Sequence, residues 1–330
     1  MRNSKKEKNQ GFFCPSLFPK SRRGFLEIPF GWLFAIIAGA VILVMAIYVA
    51  TQLIKTSGIE SNVVTSKEIG IILNPLEISF ESDKVTFLEL PAETRINSSC
   101  DIEGNFGMQK ITISQKVFGQ WSETGLNVSF PNKYIFSENN LEGKNFYLFS
   151  KPFDFPFKVA DLIYLIPKEK TYCFIINPGN ITTTIRDLNL QNIINVTTQS
   201  RCPAGSINVC FVGGTTRCDI KVNTGSIKTV TKGIVSNSFE GDALMYAAIF
   251  SDSGDYKCQV RRLMKRVESL ADLYNEKANF IARKNCNTDF NLARLMQDAR
   301  DFSTFGSFSE ISSTVNQIKI ANKNAYCKLW

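Results

Sequence analysis

Three patterns of apolar and polar residues follow one another along this chain. The first is continuous. From Ile28 to Ala50 there are 23 consecutive residues without a charge. A helix rises about 1.5 Å per residue, so roughly 20 residues cross a hydrocarbon core of about 30 Å. The pattern predicts a transmembrane helix over 28–54. A cleaved secretory signal has a shorter apolar region, of about 7–15 residues, followed by a small-residue cleavage site. Here the run passes into "TQLIKTSG" without one, which predicts an uncleaved span. No second apolar run of about 18 residues follows, so the expected anchor is single-pass.

The second pattern is short and alternating. After "KTSGIESNVVTSKEIGIILNP" (55–75), which reads as a helical stalk stopped by Asn74-Pro75, the segments "LEISF", "KVTFLEL", "QKITISQKV", "LNVSF", "NFYLF", "LIYLI", "TYCFII", "INVCFV", "CDIKV" and "SIKTVT" are β-branched or aromatic. Gly, Pro, Asn and Asp separate many of them, as strand boundaries require. Residues 76–254 are therefore expected to form a β-rich domain. Within it "FDFPF" alternates Phe153, Phe155 and Phe157, and Pro156 points to an edge strand or loop. Core packing is the first reading of that aromatic face, and a stacking platform for a glycan or ligand is the second.

The third pattern repeats at three and four residues. Val260, Leu263, Met264, Val267, Leu270, Ala271, Tyr274, Ala278 and Ile281 make the stripe of an amphipathic helix. Weaker stripes follow over 289–303 and 309–322. The expected fold class is α+β: an N-terminal transmembrane helix, an extracytoplasmic antiparallel β-rich domain, and a C-terminal helical hairpin or bundle over 255–330 packed on it. A coiled-coil dimer along Val260–Ile281 is the competing reading, supported over only about three heptads.

Charge gives the span a direction. The net charge of +8 resembles a nucleic-acid signal until it is located. Residues 1–27, expected to be a disordered tail, hold seven Lys/Arg against Glu7 and Glu27, while residues 56–330 hold 30 basic and 28 acidic groups. Lys/Arg excess before a span keeps that end in the cytoplasm. The N-terminus is expected inside, residues 55–330 outside, the lipid bilayer as partner, and no nucleic acid.

Cysteine usage agrees. Cys14 lies in the tail, and eight others, Cys100, Cys173, Cys202, Cys210, Cys218, Cys258, Cys286 and Cys327, lie beyond the span. An even number in an oxidising compartment reads as up to four disulfides, with 105 pairings open. The even spacing of Cys202, Cys210 and Cys218 suits hairpin staples, and Cys258, Cys286 and Cys327 would tie the ends of the helical region. Zinc is the competing reading, but there is no C-x2-C pair and no histidine. Four N-glycosylation sequons begin at Asn97, Asn127, Asn180 and Asn195, all on the outer side. If modified, these asparagines belong on exposed loops or strand ends.

Reactive chemistry is thin. The chain contains no histidine at all. That removes Ser-His and Cys-His nucleophiles and the commonest general base. "GGTT" lacks the G-K-[ST] of a phosphate loop. Glu240, Asp242, Asp252 and Asp255 have no EF-hand spacing. "DSGDYKC" (252–258) matches the tyrosine corner of immunoglobulin-like domains over seven residues, but a helical stripe follows where a strand is needed. No catalytic, cofactor-binding or metal-binding residue is assigned, and no cofactor is expected. An enzyme would need a set such as Ser-Lys or paired carboxylates.

The anchor carries two further signals. Gly31, Ala35 and Gly39 fall four apart and form a flat face that another membrane helix can approach closely. Arg22-Arg23-Gly24-Phe25 before a long apolar helix resembles the prepilin signal of type IV pilins and related archaeal surface filaments. That resemblance covers about residues 20–50. It implies cleavage between Gly24 and Phe25 and packing of the helix into a filament beneath a β-rich head. The pilin glutamate stands fifth after the cut; here Glu27 is third and Pro29 fifth. Glu27 also suits a plain anchor, because a carboxylate just before a Pro-started helix faces the positive end of its dipole. Taken whole, tail, span and Cys-rich exterior are similar to single-pass surface proteins common in archaea. The function expected is a non-enzymatic cell-surface protein in adhesion, envelope structure or partner binding. A pilin-like subunit is the first alternative and a membrane-anchored enzyme the second.

Overall fold

The computed structural model describes residues 30–53, 85–117, 119–122, 126–176, 178–211, 218–286 and 290–330. The stalk expected over 55–75 and the strand "LEISF" lie outside the described residues. The chain divides into two units, Met1–Leu53 and Ile54–Trp330. The first contains helix α1 (Phe30–Leu53), 24 residues long with a mean hydropathy of 2.8 over its most apolar window. At about 1.5 Å per residue it is long enough to cross a bilayer.

The second unit opens with a seven-stranded sheet. Strands β1 (Val85–Asp101), β2 (Met108–Val117), β3 (Gln120–Trp121), β4 (Leu126–Phe130), β5 (Tyr134–Phe136), β6 (Asn140–Asp154) and β7 (Lys158–Pro167) run in the order β3-β2-β1-β6-β7-β5, with β4 also paired to β2. All pairings are antiparallel except β5 with β7. β4 sits at one margin and β5 at the other, yet only residues 131–133 separate them. Chain that short spans at most about 15 Å, so the sheet must curl until its margins meet. Leu88, Ile96, Ile111, Ile113, Ile135, Leu141, Phe146, Leu148, Ile163 and Leu165 share the interior of this curl. Buried amides lie beside it: Gln109 donates to Ser98 Oγ (2.7 Å) and Gln115 to Thr94 Oγ1 (3.4 Å).

A second sheet follows: β8 (Tyr172–Ile175), β9 (Ile193–Val196), β10 (Ile207–Cys210), β11 (Ile220–Asn223), β12 (Thr229–Lys232) and β13 (Val235–Ser238), in the order β13-β12-β11-β10-β8-β9. Here the expectation of an antiparallel domain is corrected. β9, β8, β10 and β11 are parallel, and only β12, antiparallel to both β11 and β13, runs the other way. Helix α2 (Gly179–Leu188) carries the chain from β8 back to β9. β8 is buried at every position, as strands covered on both faces are. Such a run shows no alternation from which parallel pairing could be told.

Between the sheets lies helix α3 (Gly241–Phe250), buried from Ala243 to Phe250. It had no amphipathic signal because no face of it is polar. Phe250 meets Phe149, Tyr164, Tyr172 and Phe174, so both sheets close on one helix. The expected C-terminal helices are present as α4 (Ser253–Ala282), α5 (Leu292–Phe305) and α6 (Ser309–Asn324). They pack in the same core as both sheets, so the helical stretch is no separate lobe. "DSGDYKC" opens α4, with Tyr256 and Cys258 on the helix rather than on a strand. "FDFPF" forms the β6–β7 turn, with a cis peptide bond at Phe155-Pro156. Phe153, Phe155 and Phe157 are all buried, which is the core-packing reading.

Candidate functional site

Helix α1 is exposed along almost its entire length, including Gly31, Ala35 and Gly39. Within the described residues of that unit, a methyl group added at Gly31 or Gly39 would meet nothing within 4 Å. Gly24, Phe25, Glu27 and Cys14 lie outside the described residues.

The eight cysteines beyond α1 form four bridges: Cys100–Cys258, Cys173–Cys202, Cys210–Cys218 and Cys286–Cys327. Their Cα–Cα distances of 6.0, 5.8, 5.9 and 6.2 Å lie within the span a disulfide bridges. Cys100 at the end of β1 ties the curled sheet to the second turn of α4. Cys286–Cys327 ties the end of α4 to the C-terminal segment, as the sequence suggested for that region. The hairpin-staple reading of the middle cysteines is corrected. Cys210 and Cys218 join the connection between parallel strands β10 and β11, and Cys202 bonds back to β8. Cys173, Ile175 and Cys210 face away from α3, with Val196, Cys202 and Cys218 over them. Two disulfides thus cover a sheet face with little apolar surface of its own.

The sequon asparagines fall on regular elements. Asn127 on β4, Asn180 in the first turn of α2 and Asn195 on the edge strand β9 are exposed, and Asn97 on β1 is half-buried. Asn97 pairs in register with Thr112, and Thr112 with Asn127. Thr112 Oγ1 donates to Asn127 Oδ1 (2.5 Å), and Asn180 Nδ2 donates to Asp242 Oδ2 (3.1 Å).

The charged groups that sequence reasoning left scattered form a joint where α3 turns into α4. Both Glu138 oxygens accept from Lys170 Nζ at 2.5 Å. Asp252 Oδ2 accepts the backbone N–H of Asn139 (2.7 Å), and Lys232 Nζ donates to the Ser251 carbonyl (2.7 Å). Burial pulls Lys232 down to about 8, against the pull of Asp252 and Glu138. Burial, with Asp252 beside it, pushes Asp255 up to about 6. Perturbed groups gathered in one place are what active sites display, and ion pairs that hold elements together display the same. Glu138, Lys170, Asp252 and Lys232 each have a partner among the described residues, whereas Asp255 Oδ2 has none, and the contacts join four segments of chain. Glu240 and Asp242 lie in a separate cleft of about 200 Å³, where Lys228 and Ser312 hold Glu240 and Asn180 holds Asp242. No group of three metal-ligating side chains converges among the described residues.

Arg262 escaped sequence reading altogether. It is fully buried and has no carboxylate within ion-pair distance among the described residues. Its guanidinium donates to the carbonyls of Phe106 (3.0 Å), Lys133 (3.0 Å), Pro131 (2.9 Å) and Phe130 (3.3 Å) and to Gln259 Oε1 (2.7 Å). It also lies over Tyr134, 4.8 Å from the ring centroid. Three of the four carbonyls come from the last residue of β4 and the segment that joins it to β5, so Arg262 fastens the seam of the curled sheet. Lys265 and Arg266 likewise donate to the carbonyls of Ile102, Gly104 and Val159. These three α4 cations serve backbone oxygens. In sequence, a buried arginine beside Arg261 is indistinguishable from a solvated one.

No protein-family model, curated protein or solved structure matches this chain. Its class therefore rests on its own features: an α+β, disulfide-bonded unit carried behind an apolar helix long enough to span a membrane.

Proposed function

We propose that this chain is a non-enzymatic, single-pass cell-surface protein, N-terminus inside and residues 55–330 outside. Its ectodomain acts in adhesion, envelope structure or partner binding. One observation carries the reading: all eight cysteines beyond the apolar helix find partners at bridging distance, a pattern that belongs to an oxidising compartment. The basic tail supplies the direction. The sequons at Asn97, Asn127, Asn180 and Asn195 would be glycan acceptors on the same side. A membrane-impermeant maleimide applied to intact cells should leave Cys14 unlabelled, while external protease removes the domain beyond the span. Labelling of Cys14 on sealed cells would reverse the orientation.

The pilin-like reading is a second proposal, favoured by the small-residue face of α1 formed by Gly31, Ala35 and Gly39. It requires processing between Gly24 and Phe25, with Glu27 third in the mature chain. Intact mass decides it: a mature protein beginning at Phe25 supports a filament subunit, and one beginning at Met1 or Arg2 supports a plain anchor.

A further inference from the structure

A cleft of about 320 Å³ lies between β13, the first turns of α4 and the α5–α6 corner. It is in the size range of small-ligand sites, which combine apolar walls with a few placed polar groups. Phe302 and Phe308, with ring centroids 4.6 Å apart, and Val260 supply apolar wall, and all three are buried. At its polar side is Asn237, a buried side chain at 3% exposure. Its Oδ1 accepts from Ser253 Oγ at 2.7 Å. Its Nδ2 has no partner among the described residues, and the side chain lines the cleft. An amide donor that opens on a cleft is available to an acceptor placed there. Lys257 and Arg261, one turn apart on α4, also line the cleft. Both are exposed, and neither has an ion-pair partner among the described residues. No acidic residue is among those lining the cleft. This contrasts with Arg262, Lys265 and Arg266 on the same helix, whose donors are engaged by carbonyls.

We infer that this cleft is a binding site for a small organic anion with an apolar body, such as an aromatic carboxylate or phosphate ester. The apolar part packs against Phe302, Phe308 and Val260. The anionic head takes the Asn237 amide hydrogens and the charge of Lys257 and Arg261. The site does not depend on the orientation of the anchor or on its processing.

The test uses the full chain in a non-ionic detergent with 4-fluorobenzoate as probe and fluorine NMR as readout. Saturable broadening is expected, displaced by phenyl phosphate and not by benzylammonium. The double variant Lys257→Ala/Arg261→Ala alters only exposed side chains without partners. It should keep its fold by circular dichroism and bind about tenfold more weakly. Three results would overturn the inference: no saturable binding up to about 10 mM, equal displacement by benzylammonium, or unchanged affinity in the folded double variant.

Discussion

Replacing Arg262 by alanine would leave the carbonyls of Phe106, Phe130, Pro131 and Lys133 without their side-chain donor and empty a large buried volume. Losing the donor to a set of buried acceptors costs about 3–5 kcal/mol. Arg262→Lys keeps a charge but offers one point in place of a planar fork, so it should recover less than half of that. Denaturant unfolding followed by near-ultraviolet circular dichroism would measure both. Asp255 makes an opposite contribution. Its carboxyl is half-buried with one oxygen unpartnered, and its pKa rises from 3.8 to about 6. Between those values the folded chain holds a proton that the unfolded chain has released. Stability therefore falls as pH rises through that window. Asp255→Asn removes the titration, so the decline of melting temperature between about pH 4 and 6 should flatten, and the variant should be no less stable at pH 7. Lys232, pulled from 10.5 to about 8, acts in the alkaline range: the folded chain loses its proton first, so stability rises with pH from about 8 to 10.5. The sequence named Asp255 only within a loose acidic group and Lys232 not at all, because burial, not identity, makes a lysine or an aspartate unusual.

At the scale of elements, legibility followed periodicity. The stripe from Val260 to Ile281 became α4, and segments such as "QKITISQKV" and "LIYLI" became β2 and β7. β5 was too short to read, and α3 and β8 were too uniformly apolar to show a period. The turn "FDFPF" was legible as a loop, but its partners were not. Phe157 lies 4.5 Å from Tyr274 on α4 and 5.5 Å from Trp330, centroid to centroid, contacts that bridge more than a hundred residues. Phe157→Ala should therefore cost about 3–5 kcal/mol. Its signature is regional: hydrogen exchange should quicken in α4 around Tyr274 and near Trp330 more than in β2 or β4. A ligand platform would show neither effect, since a stacking aromatic is exposed and its loss leaves the core intact.

For the whole molecule, the four bridges differ in how much chain they constrain. Cys100–Cys258 spans 158 residues, Cys286–Cys327 spans 41, Cys173–Cys202 spans 29 and Cys210–Cys218 spans 8. In the chain-entropy account, closing such loops restricts the unfolded state by about 5, 4, 3.5 and 2.5 kcal/mol respectively. Paired Cys→Ser replacements, taken one bridge at a time, should destabilise the folded chain in that order, read as denaturation midpoints under non-reducing conditions. The first bridge has a second role that loop length alone omits. It holds α4 at the end of β1, one turn before Arg262 reaches the β4–β5 seam, so its loss should also weaken the contribution of Arg262. A double-mutant cycle between Cys100→Ser/Cys258→Ser and Arg262→Ala would then show a coupling above about 0.5 kcal/mol. Additive effects would mean that α4 is seated by its apolar stripe alone, with disulfide and guanidinium acting as independent fasteners. The number of bridges was legible from the even count of cysteines beyond the span. Which cysteines pair was not, because β1 and α4 meet only once both sheets have closed on α3.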